Sequence, residues 1–355
     1  MRYEYSERLE KIEAILDPWL PAAPDAAWMQ SVFPGLALKG GCSRPLTAPP
    51  RELLERGGKR WRPLLSLLVC EALGGAEAVL PLLPLVEFPH NASLIHDDIE
   101  DHSARRRGKA ALHLIYGEDT AINSGAFLYF LPLACLEAWD GEAEARNVIW
   151  ALWARHMRAL HLGQSMDIAW HRGEGLPSLS EYETMCSLKT GCLARFAALL
   201  GAETALGPGT ALGPGSEAEI AASAAEKLGV GFQILDDVKN LTTGLPGKQR
   251  GDDVVEGKMS LPVLYFVWGS GEGASVPGAD RLALVRRCFA AARSGGTGVP
   301  EVEELIAALD LSGSIEAASN RSRALIGEAS DALAALPARD PCAGRLLAGL
   351  PALLQ

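Results

Sequence analysis

The chain has 355 residues, of which 48% are apolar and 22% charged, an ordinary globular balance that excludes wholesale disorder. Asp and Glu number 44 against 33 Lys and Arg, a net charge of −11. That field repels phosphate backbones and anionic lipid, so no nucleic-acid partner is expected, and a small anionic ligand requires locally concentrated bases or a metal.

Met1 to Glu10 is charged and lacks an apolar centre, so no signal peptide is read there. Seven Cys at irregular spacing predict reduced, buried thiols in a cytoplasmic protein rather than a disulfide framework. Residues 32–50 are rich in Pro and Gly and predict a long loop. The run Gly57-Gly58-Lys59-Arg60-Trp61-Arg62-Pro63 is a glycine turn loaded with bases, and Leu64–Leu73 then shows helical apolar spacing.

The segment Leu94-Ile95-His96-Asp97-Asp98-Ile99-Glu100-Asp101 is the most informative. On a helix, Asp97 and Asp101 share a face, with Asp98 about 100° round. Carboxylates so placed repel one another unless a cation lies between them. Hard oxygen donors with open positions suit Mg²⁺, which bridges carboxylates to a phosphate-bearing substrate. A solvated acidic helix end is the alternative reading at this point. Arg105-Arg106-Arg107-Gly108-Lys109 follows directly. The uncharged run Thr120–Leu136 contains Asn123, Gly125 and Pro132; it predicts a buried bundle helix and no stable membrane insertion.

Ala143–Ile168 and Ala218–Leu241 repeat the helical spacing, and Ala and Leu, both helix formers, dominate. Residues 205–215, 269–279 and 294–299 are Gly-rich connections, and Ser314–Gln355 reads as helical. No repeat of 20–50 residues appears. The expectation is therefore an all-α, single-domain protein of ten or more helices over residues 1–355. Its motif-bearing core covers about 50–270 and its C-terminal helices about 280–355.

Phe232-Gln233-Ile234-Leu235-Asp236-Asp237-Val238-Lys239-Asn240 repeats the first layout: an apolar helix, Asp-Asp, then a polar residue at the fifth position. Two such ends could face each other across a bundle and hold metal ions between them. Lys189-Thr190-Gly191, Lys248 and Lys258 add bases next to Gly or the Asp clusters, which suits a phosphorylated ligand. Any one of them alone reads equally as a solvated surface base. Neither Cys-x-x-Cys nor His-Glu-x-x-His occurs, which argues against zinc, and Gly251–Ser260 has the wrong spacing for a phosphate loop. No nucleophile elbow is present, and a metallohydrolase built on His96-Asp97 fits two separated Asp-Asp helices poorly.

Five signatures in order resemble the trans-isoprenyl diphosphate synthase (polyprenyl synthetase) family. They are Gly-Gly-Lys-Arg-x-Arg-Pro at 57–63, His-x-x-x-Leu-Ile-His-Asp-Asp-x-x-Asp from His90 to Asp101, and Arg-Arg-Gly-Lys at 106–109. Gly-Gln-x-x-Asp at 163–167 with Lys-Thr-Gly at 189–191, and Gly-Phe-Gln-Ile-x-Asp-Asp at 231–237 followed by Gly-Lys at 257–258, complete the set.

The resemblance implies an all-α isoprenoid-synthase bundle with a central pocket, a homodimer, and two substrates, isopentenyl diphosphate and an allylic diphosphate. It assigns Asp97, Asp98, Asp101, Asp236 and Asp237 to Mg²⁺, three ions per site, on the allylic diphosphate. Arg106, Lys189 with Thr190, and Lys258 would support that diphosphate, joined by Gln233 and Lys248. Lys59, Arg62, His90 and Arg107 would bind isopentenyl diphosphate. Ionisation of the allylic C–O bond gives a carbocation that the alkene attacks, and the proton leaves with diphosphate. Ala92 and Ser93, one turn above Asp97, are small where an aromatic would stop the chain near fifteen carbons, so products of twenty carbons or more are expected, with Phe88 and Pro89 as a floor. Asn240 stands where relatives often carry a third Asp, Asp252 where a Lys is common, Ala126 where an Asp is common, and Ala110-Ala111 replace Pro-Thr. Two other readings are a class I terpene cyclase, which needs no second diphosphate site, and a non-catalytic partner subunit of a synthase.

Overall fold

The computed structural model describes residues 2–36, 43–209, 213–244, 249–269 and 277–353. Seventeen α-helices are found among them: α1 (Arg2–Leu16), α2 (Ala26–Val32), α3 (Arg44–Glu55), α4 (Trp61–Ala72), α5 (Pro84–Glu100), α6 (Leu112–Tyr116), α7 (Glu118–Ala138), α8 (Ala143–His171), α9 (Leu179–Cys186), α10 (Cys192–Leu206), α11 (Glu217–Leu241), α12 (Asp252–Glu256), α13 (Leu261–Trp268), α14 (Ala279–Gly295), α15 (Pro300–Leu311), α16 (Ser314–Ala334) and α17 (Pro341–Gly349). The extended structure described is a two-stranded antiparallel hairpin, β1 (Arg105–Arg106) with β2 (Lys109–Ala110).

The chain divides into two compact units. One holds Met1–His156, Leu193–Ala225 and Ser330–Gln355; the other holds Met157–Cys192 and Glu226–Ala329. In the first, α4 is buried almost all round, with Leu64, Leu65, Leu67, Leu68 and Val69 at 2% exposure or less. It packs against α17 and α1, and α5 packs along α7. The Tyr5 hydroxyl donates to the Leu346 carbonyl at 2.5 Å, tying α1 to α17. In the second unit, Tyr182, Ile234, Val238, Leu264, Val285, Val302 and Leu305 form one core. Ser178 and Glu181 close α9 with a reciprocal capping box, satisfying two of the donors that a helix start leaves open.

Residues 32–50 are not one long loop. Arg44 to Pro50 are the first turns of α3, with Pro45 at its start and Pro49 and Pro50 inside it. Composition misleads here because Thr47, Pro49, Pro50, Leu53 and Leu54 are buried, an apolar helical stripe whose packing outweighs the lost amide donors. Residues 37–42 lie outside the described part. The uncharged run is the centre of α7, which is long and apolar enough by composition to cross a bilayer, yet 56% of its most apolar window is buried in the protein. Cys70, Cys135, Cys186 and Cys288 are buried thiols, and burial pushes Cys70 up to about 11.

Candidate functional site

The C-terminal end of α5 carries Asp97, Asp98 and Asp101. Asp98 is buried, whereas Asp97 and Asp101 are half-buried and stacked one turn apart, with the Asp101 amide donating to the Asp97 carbonyl at 2.8 Å. Arg106, on β1, returns to this helix end. Its Nε and Nη2 donate to Asp98 Oδ1 at 2.8 and 2.5 Å, and Nη2 lies 3.6 Å from Asp97 Oδ2. Burial alone would lower the Arg106 pKa, but Asp98, Asp97 and Asp101 more than offset it and raise the value.

The turn of the hairpin places Arg107 at φ 50° and Gly108 at φ 78°, the doubly left-handed backbone of a two-residue hairpin. Arg107 Nη1 donates to the Leu53 carbonyl at 2.8 Å. Burial brings its guanidinium down to about 10, with Glu87 opposing and Arg60, Arg106 and Arg56 reinforcing the shift. His90 lies on α5 two turns before Asp97, and Arg62 Nη1 is 3.4 Å from its Nε2. Burial, then Arg62, Arg107, Arg106 and Arg60, holds His90 well below the usual imidazole range, so it is neutral near pH 7 and offers hydrogen bonds rather than charge. Gly58, at φ +152°, makes this crowding achievable, since a Cβ there would lie 2.8 Å from Arg60 Nη1 and 3.2 Å from Arg107 Nη2.

The two bases flanking Trp61 differ. Arg62 faces His90, whereas Arg60 pairs with Glu87 at 3.1 Å and Glu13 at 2.7 Å and donates to the Leu54 carbonyl at 2.6 Å. Arg60 is thus consumed by structure, at a left-handed residue that starts α4. Lys59 is exposed.

In the second unit, Lys189 and Thr190 lie in a single π-helical turn, Ser187–Gly191, between α9 and α10. Such turns push side chains out of the regular helical register and recur at functional sites. Lys189 Nζ pairs with Asp167 Oδ2 at 2.6 Å, and Thr190 Oγ1 donates to Gln233 Oε1 at 2.8 Å. Gly163 of α8 admits the turn, because a Cβ there would lie 2.4 Å from the Lys189 amide nitrogen. Gln233 Nε2 donates to Asp237 Oδ1 at 3.2 Å. The other oxygen, Oδ2, accepts the Tyr182 hydroxyl at 2.5 Å and the Leu261 amide at 3.3 Å. Burial nevertheless raises Asp237 to about 6, against those donors. Asp236 is exposed. Lys258 pairs with Glu256 at 2.6 Å.

Asn240 is 1% exposed, and its Oδ1 accepts the Asp253 amide at 3.2 Å, pinning the start of α12. Lys248 lies outside the described residues. Of the size-limiting candidates, Ala92 and Phe88 are fully buried, while Ser93 is half-buried and donates to the His90 carbonyl at 2.8 Å.

The donor chemistry fits a hard dication. Asp97, Asp98 and Asp101 set carboxylates at the end of α5, with Arg106 bonded to Asp98 and 3.6 Å from Asp97, and Asp236 and Asp237 set two more near the end of α11. Among the described residues, no three His, Cys, Asp or Glu close into a metal cage. Sequence reading gave no role to Asp167, Tyr182, Arg60 or Arg56. Asp167 was within reach as the last residue of Gly-Gln-x-x-Asp, but Tyr182 sits in an unremarkable helix and nothing local marks it.

A polyprenyl synthetase family model matches residues 43–275, which spans every element just described from α3 to α13. The chain belongs to the polyprenyl synthetase family. It is 30% identical over 310 residues to the geranylfarnesyl diphosphate synthase of Aeropyrum pernix, covering 85% of this chain and 91% of that one. The geranylgeranyl pyrophosphate synthetase of Pyrococcus horikoshii superposes with a TM-score of 0.80 at 26% identity, over 100% of this chain and 99% of the other. A Caulobacter crescentus polyprenyl synthase, solved with calcium and isoprenyl diphosphate, gives 0.76 at 25% identity, over 98% and 94%. Membership makes the all-α isoprenoid-synthase fold and a prenyltransferase activity properties of this chain.

Proposed function

We propose that this chain condenses isopentenyl diphosphate with an allylic diphosphate, head to tail, releasing diphosphate and a product of twenty carbons or more. The observation that carries the reading is Arg62 set 3.4 Å from His90 with Arg107 beside them, two turns of α5 or roughly 10 Å from the Asp97 end, and separate from Arg106 on Asp98. An enzyme that ionises a single diphosphate has no use for a second cationic seat beside the first, so the cluster disfavours a cyclase.

Arg106, Lys189 and Lys258 hold the allylic diphosphate, with Asp167 fixing Lys189 and Gln233 bridging Thr190 to Asp237. Lys59, Arg62, His90 and Arg107 hold isopentenyl diphosphate. Asp97, Asp98 and Asp101 of α5 and Asp236 and Asp237 of α11 would hold Mg²⁺, three ions in this proposal; the calcium and isoprenyl diphosphate of the Caulobacter structure support it. When bound, Mg²⁺ neutralises charge gathering on the leaving diphosphate. As the allylic C–O bond breaks, Arg106 and Lys189 follow that charge, and the nearby alkene attacks the cation. The proton leaves to diphosphate, so the chain needs no base of its own.

Ala92 and Ser93 leave room for a growing chain, and the geranylfarnesyl and geranylgeranyl names of the relatives agree with a long product. The test is incubation of purified protein with Mg²⁺, labelled isopentenyl diphosphate and allylic diphosphates of five, ten and fifteen carbons. Longer diphosphates support the reading; hydrocarbons point to a cyclase, and no turnover to a partner subunit. Ala92→Phe shortens the product, and an unchanged size profile removes Ala92 from that role. The homodimer belongs to the same reading. Phe130 and Trp150, 63% and 48% exposed and packed about Trp153, form an apolar patch for a second copy. Phe130→Glu with Trp150→Glu converts a dimer to monomer in sedimentation.

A further inference from the structure

We infer that Arg56, Glu52 and Tyr116, outside the five signatures, form a brace that positions the arginine hairpin and thereby sets affinity for isopentenyl diphosphate. This rests on the proposal that Arg107 serves that substrate. The hairpin has two residues per strand, closed at its base by the Ala111 amide donating to the Ala104 carbonyl at 3.0 Å. A two-stranded ribbon this short has no stability of its own, so outside support decides where Arg107 points, while the Arg106 guanidinium keeps its separate anchor on Asp98.

Arg56, the C-terminal cap residue of α3, supplies that support. Its side chain is 1% exposed, and one nitrogen, Nη1, donates to the Arg106 carbonyl at 3.1 Å and the Ala110 carbonyl at 2.9 Å, one on each strand. The guanidinium is itself fixed. Nη2 pairs with Glu52 Oε1 at 2.7 Å one turn back, and Glu52 Oε2 accepts the Tyr116 hydroxyl at 2.8 Å from the end of α6. Three elements therefore meet on one planar cation, a fork that Lys does not reproduce. Arg106 thus accepts from Arg56 through its carbonyl while its own guanidinium reaches Asp98. The next residue, Arg107, ties the turn to Leu53 on the same α3 end. These are positioning residues, since none of the three is proposed to touch substrate.

The experiment measures KM for isopentenyl diphosphate and for the allylic substrate, kcat, melting temperature, and pyrophosphate affinity by calorimetry, in wild type, Arg56→Ala, Arg56→Lys and Tyr116→Phe. The brace predicts a rise of about tenfold or more in isopentenyl diphosphate KM for Arg56→Ala, with kcat within about threefold, and about two- to threefold for Tyr116→Phe. Arg56→Lys stays close to Arg56→Ala, and added guanidinium ion restores Arg56→Ala. Should Arg56→Ala fail to fold, Tyr116→Phe decides alone: raised KM at unchanged melting temperature supports the brace, and unmoved KM overturns it. Equal loss in both substrates' KM with a lowered melting temperature also overturns it, since that is general loosening. If wild-type protein binds pyrophosphate and elongates, yet the variants match it, the brace alone fails. If wild type does neither, the functional reading fails and the brace with it.

Discussion

The two Asp-Asp helix ends look alike in sequence and differ in how each buried carboxylate is held. At the end of α5, Asp98 meets a cation, Arg106, eight residues away. On α11, Asp237 meets neutral donors only: a tyrosine hydroxyl, a glutamine amide and a backbone amide. A paired guanidinium compensates burial with opposite charge; at Asp237 burial outweighs the neutral donors, the Asp167 charge adds to it, and the carboxyl is driven up to about 6. The fifth positions diverge as well: Asp101 is half-buried at the end of α5, and Asn240 is buried and spent on the Asp253 amide. The fifth position is a carboxylate at one end and, at the other, an amide spent on the start of α12.

The largest effect that could break this contrast comes from Asp101→Asn. Loss of a ligand carboxylate should cut turnover by about a thousandfold, and raised Mg²⁺ should recover part of it; isopentenyl diphosphate incorporation measures both. Near-normal turnover at ordinary Mg²⁺ would falsify the division of labour between the two ends.

Tyr182→Phe tests the neutral-donor end. The hydroxyl lowers the Asp237 pKa by stabilising the anion, so its removal moves the carboxyl further above about 6 and shifts the acid limb of the activity profile to higher pH. Loss of about tenfold at pH 6 and less at pH 8 is expected. The stability sign runs the other way. A folded pKa above the unfolded value means that Asp237 contributes stability below about 4 and loses it as pH rises through about 6. Asp237→Asn should therefore gain relative to wild type between those limits in denaturant melts, and a flat difference across them contradicts the assignment.

The smallest effect is Asn240→Asp. Restoring a carboxylate places a charge at a 1% exposed position, costing about 1–3 kcal/mol by the desolvation of a buried group. A lower urea midpoint without tighter Mg²⁺ binding is expected, and tighter binding would show that the position still faces the ligand.

Much was legible beforehand where chemistry is local. Helical spacing marked α4, α8 and α11, and residue type with i, i+4 placement marked Asp97 and Asp101 as one face. The proline-rich start of α3 looks like a loop by composition because composition scores each residue's own backbone preference, while burial of Thr47, Pro50 and Leu54 is collective. Arg60 and Arg62 share one motif and one charge, and nothing in their spacing separates the structural base from the one beside His90.

The sequence by itself determined the helical class, the two acidic helix ends and the family, because periodicity and residue chemistry act over one or two turns. Tertiary structure alone decided which carboxylate is gripped by charge and which by neutral donors, that Asn240 holds the start of α12, and that Arg56 spans the hairpin. Each depends on atoms brought within about 3 Å from residues up to 55 positions apart, and hydrogen bonding and desolvation act only at that range.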